Sequence, residues 1–128
     1  LPYLDQCLSA LITDIYQRNL DRKIMVCVVG EFGRTPKIRK GAPDNSVGRD
    51  HWPQAYTALV SGGGMRMGQV IGATNSKGEY PTQRPTTPQD LLATIYQHLG
   101  INDQATIADF FGRPVHILPH GKPIGELL

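Results

Sequence analysis

The stretch that decides the predicted fold is IMVCVVGEFGRTP, residues 24–36. Its first part, residues 24–29, is apolar at every position and rich in β-branched side chains. Such a run is typical of a strand buried on both faces of a mostly parallel sheet. At Gly30 the apolar pattern stops and a long polar segment begins. We therefore predict a central strand that ends at Gly30 and carries a loop at its carboxyl end.

The segment before this strand predicts a helix over residues 2–19. Its apolar side chains recur at helical spacing, as in a helix that packs on a sheet. These side chains are Leu4, Cys7, Leu8, Leu11, Ile12 and Ile15. A helix followed by a buried strand is half of an α/β repeat. The predicted fold class is therefore α/β, a mostly parallel sheet flanked by helices.

Two shorter strands and a glycine-rich turn are predicted after the loop. Residues 55–60 have the pattern of a short strand, and residues 69–71 are a candidate third strand. Between them, Ser61, Gly62, Gly63 and Gly64 predict a tight turn with close backbone packing. A phosphate-binding glycine loop would lead directly into a helix, and residues 65–71 lack a helical pattern. This argues against a nucleotide-binding module.

A helix start is the clearest local signal in the last third of the chain. Thr87 suits the N-cap, Pro88 the first helical position and Asp90 the third. Gly100 supplies a left-handed stop at the other end. In the tail that follows, residues 106–111 are predicted to form a second, short helix.

Length and charge limit the possible classes of protein. The chain has 128 residues, enough for one domain or part of one. It carries 13 Lys and Arg against 11 Asp and Glu, too even a balance for a nucleic-acid-binding surface. Its apolar runs are far shorter than the roughly 20 residues that span a bilayer. We therefore predict no nucleic-acid partner and no membrane span.

Charged side chains at the start of the long loop are candidates for chemistry. Glu31 lies at the mouth of the predicted strand, where open α/β sheets place their ligands. A carboxylate there serves as a metal ligand, a general base or a structural acceptor. Arg34 has a planar fork of donors that suits an anionic substrate. The alternative is an ordinary salt bridge between Glu31 and Arg34.

A second candidate lies at the end of the same loop, around Asp50, His51 and Trp52. Adjacent Asp and His side chains both bind one divalent ion only if the backbone turns between them. The alternative is a hydrogen-bonded, structural histidine. Basic side chains in the loop favour an anionic substrate, or else form a solvated face. They are Lys37, Arg39, Lys40 and Arg49.

Six strings carry a resemblance to a known family over nearly the whole chain. They are GEFGRTPKI (30–38), GRDHWPQAYTALVSGGG (48–64), GQVIGAT (68–74), GEYP (78–81), TPQDLLATIYQHLGI (87–101) and GRPV (112–115). In order and spacing they resemble the C-terminal half of the bacterial family called domain of unknown function fifteen-oh-one. That family is usually grouped with the alkaline-phosphatase-like superfamily, which includes sulfatases.

The resemblance implies that residues 1–128 are the C-terminal portion of a single alkaline-phosphatase-like domain. The sequence opens at Leu1 without an initiator methionine, and the predicted first helix begins at the next residue, so we expect an upstream part to be missing. The implied function is metal-dependent hydrolysis of phosphate or sulfate esters, with a small anionic ester as substrate. The superfamily's nucleophile lies near the start of the domain, so this fragment is expected to be inactive alone.

The resemblance also implies roles for residues of the loop. A zinc, calcium or manganese ion would be held by His51 with Asp50 or Glu31 and by upstream ligands. Arg34 and Arg49 would bind the substrate and neutralise charge on the transferred group, and Trp52 would contact the substrate.

The chain departs from the superfamily pattern at one of these positions. The superfamily expects Asp-His at the strand end, where this chain has Glu31 and Phe32. An alternative alignment places Asp50 and His51 at the pair position, far from the strand end. The departure also supports a second hypothesis, a non-catalytic relative that acts as a binding or structural protein. Many relatives look exported, so either protein is expected to be extracytoplasmic, periplasmic or secreted.

Overall fold

Two α-helices and a series of short antiparallel ribbons make up this computed structural model, which describes residues 1–40 and 47–128. The helices are α1 (Pro2–Gln17) and α2 (Pro88–His98), and a 3-10 turn follows at Gly125–Leu127. The strands are β1 (Met25–Val28), β2 (Gly33–Arg34), β3 (His51–Trp52), β4 (Leu59–Gly62), β5 (Ala73–Thr74), β6 (Pro81–Gln83), β7 (Thr106–Ala108) and β8 (Pro114–His116).

The sheet topology contradicts the predicted fold class. Strands pair as β1 with β4, β2 with β3, β5 with β6 and β7 with β8, and every pair is antiparallel. The prediction of a mostly parallel sheet flanked by helices is therefore wrong. A continuous apolar run reports burial and says nothing about the direction of its neighbour. Even the burial is partial, because all four residues of β1 are half-buried.

Helix α1 forms where the apolar stripe predicts it, but little of the stripe is covered. Ile15 is its one buried residue, whereas Leu4 and Leu11 are 50% and 48% exposed. Arg18 closes the helix end with a 2.8 Å bond from Nε to Asp14 Oδ1. Neither helix of the described residues is long and apolar enough to cross a membrane.

The glycine-rich turn has the close backbone packing that was predicted, and the structure shows that it packs against the residue before β1. Gly62 has a φ of +80°, and a Cβ there would overlap the Ile24 carbonyl oxygen. The N–H of Gly63 donates to that same oxygen at 2.8 Å. The strand predicted over residues 55–60 lies instead at Leu59–Gly62, and residues 69–71 are not in a strand. No helix follows the turn within residues 65–71.

The described chain divides into two compact units, residues 1–85 and 86–128. In the second unit, the predicted capping box of α2 is present: Thr87 Oγ1 accepts from Asp90 N–H, and Asp90 Oδ2 accepts from Thr87 N–H. Thr94 is completely buried; its hydroxyl donates to Asp90 O at 2.8 Å and accepts from Ile124 N–H at 2.9 Å. The helix is thereby bound to the end of the chain.

The prediction of a short helix over residues 106–111 is wrong. Thr106–Ala108 is strand β7, which pairs with β8 around a turn at residues 109–112. The β-branched Thr106 and Ile107 favour a strand. Asp109 favours the turn, because its carboxylate binds backbone N–H groups that follow it.

Candidate functional site

The β2–β3 ribbon pairs the two ends of the long polar segment, residues 30–52. Gly33 lies opposite Trp52, and Arg34 lies opposite His51. The pairing continues with a 3.0 Å bond from Thr35 N–H to Asp50 O. Further out, a bridge joins residues 39 and 48, with N···O distances of 2.8 and 3.3 Å. The predicted irregular loop is thus a ribbon for much of its length, and residues 41–46 lie outside the described part.

One side of this ribbon carries a cluster of cationic and aromatic side chains. Arg34 and His51 are directly opposed, so their side chains point to the same side. The Phe32 ring lies against His51 with centroids 3.9 Å apart, and the Arg34 guanidinium carbon is 5.6 Å from the Phe32 centroid. Arg34 Nη1 donates to the Arg49 carbonyl at 3.2 Å. We call these four residues, Phe32, Arg34, Arg49 and His51, the ribbon face.

The opposite side of the ribbon packs against Glu79 and Tyr80 of the same unit. Trp52 is half-buried, its Nε1 donates to Glu79 O at 2.7 Å, and its ring meets Tyr80 edge-on at 5.7 Å. A Cβ on its partner Gly33 would overlap the Ala55 carbonyl oxygen, so the backbones approach closely here. Trp52 therefore holds the ribbon in place; the substrate contact expected for it stays a prediction.

Thr35 is a site residue that the sequence did not reveal. Its Oγ1 accepts from Asp50 N–H and donates to Lys37 O, both at 3.0 Å. The hydroxyl thus connects the beginning of the polar segment to its end, next to the β2–β3 pairing. A threonine before proline indicates extended backbone, but nothing in that signal identifies the partner of the hydroxyl. Phe32 was noted only as a departure from a pattern, and its contacts with His51 and Arg34 were not foreseen.

The three expected metal donors are not gathered into one site. Asp50 and His51 are neighbours on extended backbone, where successive side chains point to opposite faces. Asp50 Oδ1 lies 3.6 Å from Arg39 Nε, whereas the His51 ring lies against Phe32. Glu31 is exposed. Within residues 1–40 and 47–128, no group of three or more His, Cys, Asp or Glu could hold a metal ion.

The alternative of a salt bridge between Glu31 and Arg34 is not seen among the ion pairs of the described residues. Arg34 instead contacts the Arg49 carbonyl and the Phe32 ring. These two contacts, and not the Glu31 carboxylate, therefore position the Arg34 guanidinium.

The excess positive charge of the chain lies in this segment. Residues 30–52 carry five of the 13 Lys and Arg and three of the 11 Asp and Glu, which leaves eight of each for the rest of the chain. The five cations are Arg34, Lys37, Arg39, Lys40 and Arg49, and all are exposed. Clustered exposed cations raise the local concentration of anions.

Comparison with protein families identifies the family of this chain. Residues 1–128 match the model of the family described as "Protein of unknown function (DUF1501)". The comparisons with curated proteins and with solved structures gave no match.

Proposed function

Because this chain belongs to the DUF1501 family over residues 1–128, we propose that it binds a small phosphate or sulfate ester on the ribbon face, as the anion-binding part of a hydrolase. The observation that carries the proposal is the placement of Arg34. Its backbone is fixed opposite His51, and its side chain is held by Phe32 and the Arg49 carbonyl.

A guanidinium held in this way is suited to a tetrahedral anion. It has five N–H donors in a rigid fork, and one hydrogen bond to the Arg49 carbonyl leaves most of them available. Phosphate and sulfate oxygens accept such donors in pairs, and the charge strengthens each bond. Because Arg34 is already positioned, little side-chain entropy remains to be lost when the ester binds.

The surrounding charge favours the same ligand class. Arg49 meets Arg34 through its carbonyl and adds a second exposed cation to the ribbon face. The net positive charge of residues 30–52 would raise the local concentration of an anionic ester. In a hydrolase, both guanidinium groups would neutralise charge that develops on the transferred group.

The hydrolytic part of the proposal is supported by the sequence resemblance to the alkaline-phosphatase-like superfamily. It includes a nucleophile upstream of Leu1 and an extracytoplasmic location, periplasmic or secreted. A zinc, calcium or manganese ion at His51 belongs to the same proposal. The described residues hold no group of three or more His, Cys, Asp or Glu that fits such an ion.

One observation favours a second candidate, a non-catalytic binding protein of the same location. The His51 ring packs against Phe32 at a centroid distance of 3.9 Å. In this candidate, His51 would serve with Phe32 as part of the binding surface. The protein would then bind the same ester without cleaving it.

Calorimetric titration of the chain with phosphate, sulfate and their p-nitrophenyl esters tests the proposal. We expect Arg34→Gln to weaken binding about 10- to 100-fold, the effect of losing a charge-assisted hydrogen bond. Arg66→Gln is the matched control, since Arg66 is also exposed and its loss changes the charge equally. Equal weakening by both substitutions, or no binding by the wild type, would reject the site.

Turnover separates the two candidates. In the full-length gene product, release of p-nitrophenol that is lost in Arg34→Gln and Arg49→Gln supports the hydrolase. Intact binding with no release from either ester supports the non-catalytic protein.

A further inference from the structure

The tip of the β7–β8 hairpin presents two neighbouring aromatic side chains to solvent. Phe110 is 96% exposed and Phe111 is 77% exposed, with their rings edge-to-face at 5.5 Å. Behind them, Ile107 lies directly opposite Val115, so these two side chains share one face of the hairpin. Both are exposed as well. We call these four residues, Ile107, Phe110, Phe111 and Val115, the hairpin tip.

The turn under the hairpin tip is held by a dense set of bonds. Asp109 Oδ1 accepts from the N–H groups of Phe111 and Arg113 at 2.8 and 2.9 Å. Asp109 Oδ2 accepts from Arg113 Nε at 2.8 Å and lies 2.7 Å from Nη2. The Gly112 N–H donates to Asp109 O at 2.9 Å. The two phenylalanines are therefore exposed on a well-defined turn, and little backbone entropy would be lost when they bind.

The hairpin tip has no net charge. Asp109 and Arg113 are the only charged residues in the sequence from 105 to 121, and they pair with each other. The Arg113 guanidinium carbon also lies 5.3 Å from the Phe111 centroid. An anionic surface would gain little from contact with such a neutral pair, whereas an apolar medium would gain from the phenylalanines.

We propose that the hairpin tip inserts into the interfacial region of a zwitterionic lipid bilayer, with Phe110 and Phe111 as the inserted groups. The area favours a bilayer over a protein partner. The hairpin tip has four apolar side chains, of which the two aromatic ones bury about 150–250 Å² each, far fewer than the about 20–30 residues on each side of a stable protein interface. A bilayer accepts a small apolar protrusion without shape complementarity, and aromatic side chains are enriched at its interface.

Sedimentation of the chain with phosphatidylcholine vesicles tests this inference. We expect the wild type to partition onto the vesicles, and the double variant Phe110→Ser, Phe111→Ser to bind at least about tenfold more weakly. Added salt should change the partitioning onto pure phosphatidylcholine little, because the hairpin tip is neutral. Val70→Ser is the control, since Val70 is 95% exposed and lies in the other unit.

A second experiment keeps an aromatic side chain at the hairpin tip and therefore does not rely on a variant that loses vesicle binding. With Phe110→Trp, brominated phosphatidylcholine should quench the new fluorescence, whereas Trp52 in the parent should stay unquenched. The inference is overturned if the wild type does not bind vesicles, or if the double variant binds as well as the wild type. It is also overturned if sedimentation equilibrium shows that the phenylalanines instead drive dimerisation of the chain.

Discussion

Arg34 and His51 face each other directly across the β2–β3 ribbon, one at each end of the polar segment. Their pairing places an exposed Arg34 and an exposed His51 on one side. The Phe32 ring lies against His51 and near the Arg34 guanidinium, and the exposed Arg49 accepts a hydrogen bond from Arg34 through its carbonyl. The site thus depends on the ribbon, and substitutions that disturb the ribbon should disturb ligand binding even where they touch no ligand.

Gly33→Ala should destabilise the first unit. A Cβ there would overlap the Ala55 carbonyl oxygen, and backbone cannot move aside cheaply. We expect a loss of about 1–3 kcal/mol in the free energy of unfolding, the usual cost of overpacking, measured by urea denaturation. Gly48→Ala is the control, because no described residue lies within 4 Å of a Cβ there. Equal effects of the two substitutions would contradict the close approach at Gly33.

Trp52→Phe should weaken the anchor of the ribbon. The substitution removes the 2.7 Å bond from Nε1 to Glu79 O while an aromatic ring is kept against Tyr80. We expect the free energy of unfolding to fall by about 0.5–1.5 kcal/mol, the net value of a hydrogen bond. Tyr3→Phe, at a residue 83% exposed, should leave it unchanged. An unchanged stability in Trp52→Phe would show that the bond is not formed in solution.

Thr94→Val should be costly in the second unit. The two side chains have nearly the same shape, but valine cannot accept from the buried Ile124 N–H or donate to Asp90 O. A buried N–H without a partner costs about 1–3 kcal/mol, which denaturant unfolding would detect. Thr13→Val, on the exposed side of α1, should change stability by no more than about 0.5 kcal/mol. If both variants behave alike, the Thr94 bridge is absent.

Acid should loosen the turn under the hairpin tip. The Arg113 backbone N–H, followed by its side chain and the Phe111 N–H, lowers the pKa of Asp109, and desolvation opposes the shift. Because the folded pKa is depressed, the stabilisation is complete above the ordinary Asp value of about 3.9 and is lost as pH falls through the folded value.

The carboxyl carbon shift of Asp109, followed by NMR against pH, measures this directly. We expect a midpoint below the ordinary range in the wild type and a higher one in Arg113→Gln, which removes the side-chain bonds but keeps the backbone N–H. An ordinary midpoint in the wild type would contradict the bonded turn.

Local signals predicted both helices that form, but they also predicted a helix over residues 106–111 where the chain forms strand β7. The apolar stripe of α1 and the capping box of Thr87 and Asp90 are formed by residues that lie close together in the sequence, and both helices form at those places. The direction of strand pairing, in contrast, depends on residues that are distant in the sequence. The apolar run of β1 indicated burial, but its antiparallel partner β4 is fixed by the way the chain returns after the ribbon.

The same limit applies to the site. From the sequence, Glu31, Asp50 and His51 were grouped because they occur close together or at matching ends of one loop. In the structure, Asp50 lies near Arg39 and the His51 ring lies against Phe32. Metal binding by Glu31, Asp50 and His51 stays a prediction. The choice of Arg34 and Arg49 needed only charge and position, and these two residues do meet in the ribbon; their role in binding stays a prediction.

The most direct test of the central claim is to locate the bound anion. Backbone amide shifts of the isotope-labelled chain are followed by NMR during titration with sulfate and with p-nitrophenyl phosphate. Saturable shifts centred on residues 32–35 and 49–52, lost in Arg34→Gln and kept in Arg66→Gln, are the predicted result. Saturable shifts centred elsewhere, or shifts in the ribbon that persist in Arg34→Gln, would contradict the assignment of the ribbon face as the anion site.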